Sequence, residues 1–418
     1  MSTLRTAVVV DLNSTAVQAS LSVKDTPDVS IAPVYSQSKT NAQEYVFDPL
    51  LPRSADDELY TLFNDGILYN KAATAPLLRH VYDSLKLTSG SNQEDVIKEF
   101  PLAMAQNAWF DKRQLATLAE IVFEELQVPL FSLHERQLCT AYAMSKPNSC
   151  IIVDFENDYL SVTPISNGKV LRKGMCRSPF AGDFINMFAK QYLNSRGVTD
   201  TELLPMDYSC VESSLSPSFR NYAISQTLSD FKKSVLDISP VNIDAKVFKT
   251  PGNAKSINVE RLQQIAHFIQ PIFKPYDCYN NTFMKNTQSQ AHDQLQSQQQ
   301  AQPHVSPDAE GLGQLIFKSL KNLGGASQLY ANLLNNLVIQ GDMSFVPGLE
   351  DAIINDLRLY VKDFQISSYL NQDNMDRGVE TWIGANILSQ FDDLYVSRAA
   401  YEEAGPDSDI LSRRFFSV

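Results

Sequence analysis

A buried apolar strand that ends in aspartate, crosses a short polar turn and returns as an alternating strand occurs twice in this chain. The first copy reads AVVVDLNSTAVQASLS, with Val8, Val9 and Val10 running into Asp11, and the second reads CIIVDFENDYLSVTPI, with Ile151, Ile152 and Val153 running into Asp154. An apolar run bounded by a polar turn and followed by period-two alternation predicts a β-hairpin. Two such hairpins, each followed by alternating strand and helix patterns, restrict the chain to two related α/β units. The turns themselves, Leu12-Asn13-Ser14-Thr15 and Phe155-Glu156-Asn157-Asp158, contain no glycine. Glycine is scarce overall, 16 in 418 residues, below the average of about 7%. A backbone that closes on phosphate normally needs glycine in such turns, because a Cβ would stand in the way.

Composition narrows the function classes. With 44% hydrophobic and 10% aromatic residues the chain can build large cores, and no stretch approaches the roughly 20 apolar residues of a membrane helix. The start, MSTLRTAVVVD, enters a strand with no room for a signal peptide, so a soluble intracellular protein is expected. A net charge of −13 argues against direct contact with nucleic acid; it leaves open work on chromatin through a partner. The five cysteines (Cys139, Cys150, Cys176, Cys210, Cys278) form no CxxC, and the five histidines (His80, His134, His267, His292, His304) do not pair at metal-ligand spacing. Reduced thiols and no metal site are expected.

Along the chain, residues 1–32 read as strands and 33–60 as a polar, loop-rich stretch. Helices are predicted from Ala73 (PLLRHVYDSLKL), from Asp111 as N-cap through DKRQLATLAEIVFEEL, in ERQLCTAYAMSK, in FAGDFINMFAKQYLNSRG, over 224–239, in LGQLIFKSLKNL and in PGLEDAIINDLRLYV. INVERLQQIAHFIQPIFKP (257–275) begins another, and EFPLAMAQ, VPLFSL and NLVIQ read as strands. Residues 280–307, rich in Gln, Ser and Asn, read as a disordered insertion that cannot offset its ordering entropy and is dispensable for folding.

Taken in order, these segments resemble the actin-related proteins, members of the actin/Hsp70/hexokinase superfamily. The two hairpins match that superfamily's phosphate-gripping hairpins. VLRKGMCRSPFAGDFINMFAKQYL, FIQPIFKP, LLNNLVIQGDMSFVPGLEDAI, TWIGANILSQF and YEEAGPDSDILSRRFF match successive actin segments. The resemblance implies an α/β, actin-like two-lobed fold with duplicated β-hairpin cores. Its first lobe would span 1–147, with 33–72 as a small outer subdomain, and its second lobe 148–374. Residues 375–418 would return to complete the first lobe.

Against that pattern the nucleotide cleft is degenerate. The lysine that contacts the β-phosphate in actin matches Gln18, and the glycine before Ser14 matches Asn13. The two glycines of the second turn match Glu156 and Asp158, the carboxylate between them matches Asn157, and the histidine of the hydrolytic water network matches Ser161. Gly182 keeps its place in the Ala-Gly-Asp turn. Gly341 keeps the first place of the adenosine-side pair, whose second glycine is Asp342, and the lysine flanking the adenine matches Gly378. Gln137 matches the water-positioning glutamine. A carboxylate about 5 Å from a phosphate charge costs on the order of 3 kcal/mol at an effective dielectric of 20, so Glu156 and Asp158 oppose ATP. Asp11 and Asp154 are compatible with a hydrated Mg²⁺ or with simple turn capping. Loss of catalysis is expected, with no cofactor and at most residual ATP binding.

The stretch from Trp382 to Tyr401 is shorter than its actin counterpart. In actin it helps form the groove where helical ligands dock. Leu388, Phe391, Leu394 and Tyr395, with Tyr142 opposite, are expected either to line such a groove or to be ordinary core. The degenerate cleft, the altered 33–60 stretch and the Gln-rich insertion most resemble the divergent fungal nuclear members of SWI/SNF and RSC remodellers. That resemblance implies a nuclear, non-filamentous structural subunit, paired with a second actin-related protein and bound to the helicase-SANT-associated helix of the remodelling ATPase, with no direct nucleic-acid or membrane contact. The alternatives are an ATP-binding actin-like switch and a cytoskeletal capping subunit of the dynactin type.

Overall fold

Both predicted hairpins form, and each seeds a sheet of the same pattern. In the computed structural model, which describes residues 6–47, 52, 54, 56–85, 97–209, 215–240, 245–284, 305–325, 327–369 and 378–405, Val8–Leu12 pairs antiparallel with Val17–Leu21 and parallel with Leu102–Gln106. Ser149–Phe155 likewise pairs antiparallel with Leu160–Ser166 and parallel with Leu337–Gln340. The parallel series continues to Leu130–Glu135 in the first sheet and Ser368–Tyr369 in the second. Val8, Val9 and Val10, and Ile151, Ile152 and Val153, are fully buried, as continuous apolar runs in parallel-type sheets should be. The Asp111 helix, Lys112–Glu120, carries a complete capping box: Asp111 accepts from the Gln114 N–H at 2.8 Å, and Gln114 accepts from the Asp111 N–H at 3.0 Å.

Each lobe has its own apolar core. A third cluster joins the C-terminal segment to the first sheet: Trp382, Ala385 and Leu388 pack on Val9, Ala103, Ala105 and Cys139. The Trp382 indole N–H donates to the Val9 carbonyl at 3.0 Å, which satisfies its one polar group in a dry core. Val396–Ser397 then adds to the edge of the same sheet beside Leu130–Glu135. Cys139, Cys150 and Cys176 are buried free thiols.

Three expectations need correction. The 33–60 stretch is not loop-rich: Val34–Ser38 pairs with Asn41–Phe47 and Asp57–Thr61 in a three-stranded antiparallel sheet. Its edge strand Asn41–Phe47 is exposed or half-buried along its whole length, so no apolar alternation marks it. The helix expected over 224–239 starts earlier and stops sooner, at Pro217–Val235, with the proline in its first turn. The ends of the 280–307 segment are folded. Asn280–Met284 is a helical turn whose Phe283 stacks edge-on against Phe188, and Val305 is buried in the second core. Residues 285–304 lie outside the described residues, as do 406–418 with most of the matched C-terminal segment.

The helix Glu380–Leu388 reaches the helix Arg136–Ala143 through Gly384, where an added Cβ would stand 1.8 Å from the Cys139 carbonyl oxygen. Backbone cannot yield that distance without separating the helices. Gly384→Ala is therefore expected to cost about 1–3 kcal/mol as an overpacking change and to lower the melting temperature by several degrees. A melt within about one degree of wild type would show that the two helices slide apart freely.

Candidate functional site between the hairpins

The parallel strands of both sheets bring the two hairpin turns face to face across an interlobe cleft of about 270 Å³, lined by Asp11, Asn13, Gln18, Arg136, Glu156 and Asp342 among others. Its centre is a side chain that the sequence reading did not single out. Arg136, 4% exposed, opens the helix that follows Leu130–Glu135. Its Nε and Nη2 donate to the two carboxylate oxygens of Asp11 at 2.8 and 3.3 Å. Its Nη1 donates to the Tyr159 hydroxyl at 2.8 Å and to Asp154 Oδ2 at 3.4 Å. Glu156 lies 3.6 Å from Nη2. One guanidinium thus stands between the aspartates next to the last residue of each hairpin's first strand.

The turns also bond directly to each other. Asn13 Nδ2 donates to Glu156 Oε1 at 2.8 Å, and Thr15 Oγ1 to Glu156 Oε2 at 2.6 Å. Ser14 Oγ donates to Asp158 Oδ1 at 2.6 Å. The remaining Asp158 oxygen accepts from the Gly66 backbone N–H at 2.7 Å. Gly66 belongs to an Asp-Gly turn between Phe63–Asn64 and Ile67–Leu68, with Asp65 and Gly66 both left-handed, φ 50° and 68°. A Cβ there would meet the Tyr159 ring at 2.5 Å. This Asp-Gly signal was readable in the sequence, and so was a charged residue opening the helix at Arg136. What each would touch was not.

Gln137, fully buried, has its amide committed: Oε1 accepts from the Ala108 N–H at 3.0 Å, while Nε2 donates to Asn107 at 3.0 Å and to Asp154 at 3.1 Å. Asn157 donates to Asp342 at 2.8 Å, and Asp342 pairs with Lys233 at 3.3 Å. Lys232, also missed, is buried beside Gly182, donating to its carbonyl at 2.9 Å; burial pulls its ammonium down to about 8. The Gly182 N–H donates to the Glu156 carbonyl at 3.1 Å. Gly341 and Gly378 line the cleft, as does Gln18. The Ser161 hydroxyl is buried with no hydrogen-bond partner in the structure.

Electrostatics follow from counting charges. Asp11, Asp154 and Glu156 face a single guanidinium, and all four groups are buried. Burial, then the Asp154 charge, push the Glu156 carboxyl up to about 8 despite Arg136. Burial likewise raises Asp11 and Asp158 above the ordinary carboxylate range. These residues do not fit a magnesium triphosphate. A fixed cation already stands between Asp11 and Asp154, two carboxylates stand where the turns would close on phosphate, and the Gln137 amide is fully used.

A profile of the actin family matches residues 3–416. The chain belongs to the actin family. Its similar relatives include actin-related protein 4 of Yarrowia lipolytica, 26% identical over 76% of this chain and 73% of the relative. The SWI/SNF and RSC complexes subunit arp42 of Schizosaccharomyces pombe is 25% identical over 74% of this chain and 76% of the relative. Actin-related protein 7 of Saccharomyces cerevisiae is 24% identical over 82% of each. The resemblance to fungal actin-related proteins, one of them named as a SWI/SNF and RSC complexes subunit, is thereby shown.

At the far end of this actin-family chain, the expected partner groove divides. Leu388, 4% exposed, is core and drops out as a docking residue. Tyr142, Leu394 and Tyr395 are half-buried against that core. Phe391 is 51% exposed, and Ile387, which the sequence reading missed, is 40% exposed.

A pH dependence follows from Glu156. Its folded form binds a proton more tightly than the unfolded chain, so its contribution is fully present below the ordinary glutamate range near 4.5 and drains away as pH rises toward 8. Glu156→Gln removes that drain. The variant's melting temperature minus the wild type's should grow steadily between pH 5 and pH 8; a constant difference would show that Glu156 is ionised throughout.

Proposed function

We propose that this chain is a non-catalytic actin-related subunit of a SWI/SNF- or RSC-type chromatin-remodelling complex, acting in the nucleus. The name of its fission-yeast relative supports the complex. The observation that carries the non-catalytic part is Arg136, bridging Asp11 and Asp154 while Glu156 and Asp158 bond to the opposite turn. With the turn carboxylates held by side chains of the opposite turn and the Gln137 amide committed to Ala108, Asn107 and Asp154, the groups that would position a magnesium-bound phosphate and its attacking water are already engaged. The role is then structural. The chain pairs with a second actin-related protein, stays out of filaments, and holds the helicase-SANT-associated helix of the remodelling ATPase. An amphipathic helix needs an exposed apolar anchor line, and Phe391 and Ile387, exposed on the segment that also carries half-buried Leu394 and Tyr395, supply one.

Two measurements test this. The purified chain should hydrolyse ATP no faster than its Asp154→Ala variant; turnover lost in that variant would favour an actin-like switch. The double change Ile387→Ala and Phe391→Ala should weaken capture of the ATPase helix about thirtyfold or more, as expected for central apolar anchors worth about 2 kcal/mol. Circular dichroism should not change, because both side chains face solvent. Undiminished binding by a folded double variant would place the helix elsewhere.

A further inference from the structure

We infer that the two lobes of this chain are held closed by a ligand built into the chain, the carboxylates of Glu156 and Asp158, so that closure of the cleft needs no nucleotide. Each of the four carboxylate oxygens takes a hydrogen bond, and every donor comes from the first lobe: Asn13 and Thr15 to Glu156, Ser14 and the Gly66 N–H to Asp158. Hydroxyl, amide and backbone N–H donors from a hairpin turn are what an anionic phosphate would need. Here they grip two carboxyl groups fixed to the opposite lobe. Arg136 supplies the accompanying cation, bonded to Asp11 on its own lobe and to Tyr159 and Asp154 on the other. Because these groups are tethered, their effective concentration at the turn is set by the fold and does not fall on dilution, as a free anion's would.

A second closure stands independently at the outer rim. Phe219, fully buried, begins the helix Pro217–Val235 and packs on Val34 and Leu59 of the small outer sheet. Beside it, Ser218 Oγ accepts from the Leu59 N–H at 2.9 Å and donates to the Glu58 carboxylate. The lobes are therefore joined at the cleft floor by ionic hydrogen bonds and at the rim by an apolar plug. A nucleotide can shift an open–closed equilibrium only by binding the two forms differently. One that must displace its own substitutes gains nothing from closure. This inference does not depend on the partner assignment, and its test contains no partner.

Hydrogen exchange of the full chain, read by mass spectrometry with and without millimolar magnesium ATP, tests it. In the wild type, the amides of 13–16 and 63–68 should be protected to the same degree in both conditions. Two variants remove the clasp from opposite sides: Ser14→Ala with Thr15→Ala, and Glu156→Ala with Asp158→Ala. In each, those amides should exchange at least about tenfold faster while the strands Leu102–Gln106 and Ser149–Phe155 keep wild-type protection. Magnesium ATP that slows the wild-type turn amides about tenfold would overturn the inference. So would wild-type exchange at the turns in both variants. If one variant also exposes the core strands, the other decides. If both do, the clasp serves global stability and not lobe closure, and the inference fails.

Discussion

Three buried acids gathered around one buried guanidinium are the arrangement on which the rest of this structure depends. Removing one partner of a buried ion pair costs several kcal/mol, because the other is left uncompensated in a poor dielectric. Asp11, Asp154 and Glu156 come from two hairpins on two lobes, and Arg136 comes from the helix between them. None can be placed well unless both sheets are formed and apposed. The surplus of negative charge is relieved chemically, with Glu156 driven toward its protonated form, and geometrically, by the Asn13 and Thr15 donors. Assembly of the lobes and satisfaction of these charges are one event.

Duplication explains why the turns meet at all. In both sheets the hairpin's first strand runs parallel to a later neighbour, so both turns emerge at the carboxyl ends of parallel strands, where open α/β sheets place their ligand crevices. Turn-tip residues of the two lobes are therefore opposed whatever their identity. Glycines there leave a backbone-lined space. Asn13, Ser14, Thr15, Glu156 and Asp158 fill it with donors and acceptors that complement each other.

The cleft and the far end of the molecule share one short helix. Arg136–Ala143 begins at the guanidinium and has Tyr142 near its other end, half-buried against the cluster that holds Trp382 and Leu388. Gly384 lets the C-terminal helix sit directly on it, and Trp382 bonds back to Val9, three residues from the first turn. A helix pinned at one end by ions and packed along its length transmits little independent motion. The exposed Ile387 and Phe391 are thus presented from a rigid base.

What the sequence determined alone was whatever depends on neighbours along the chain. The buried strands that run through Asp11 and Asp154, the capped helix after Asp111 and the loss of turn glycines were all legible, because periodicity, capping and glycine's backbone freedom are local properties. The outer sheet was not, since Asn41–Phe47 is at most half-buried and so carries no clear alternation. Nor could the chain alone separate Leu388 from Phe391: both are apolar and three residues apart, and only the packing of Glu380–Leu388 on the first sheet turns one inward and leaves the other in solvent. The decisive contacts, Arg136 to Asp11 and the first turn to Glu156 and Asp158, join residues more than a hundred positions apart. Charge pairing at that separation leaves no pattern in a linear string, and the tertiary structure alone decided that the altered turns complete each other.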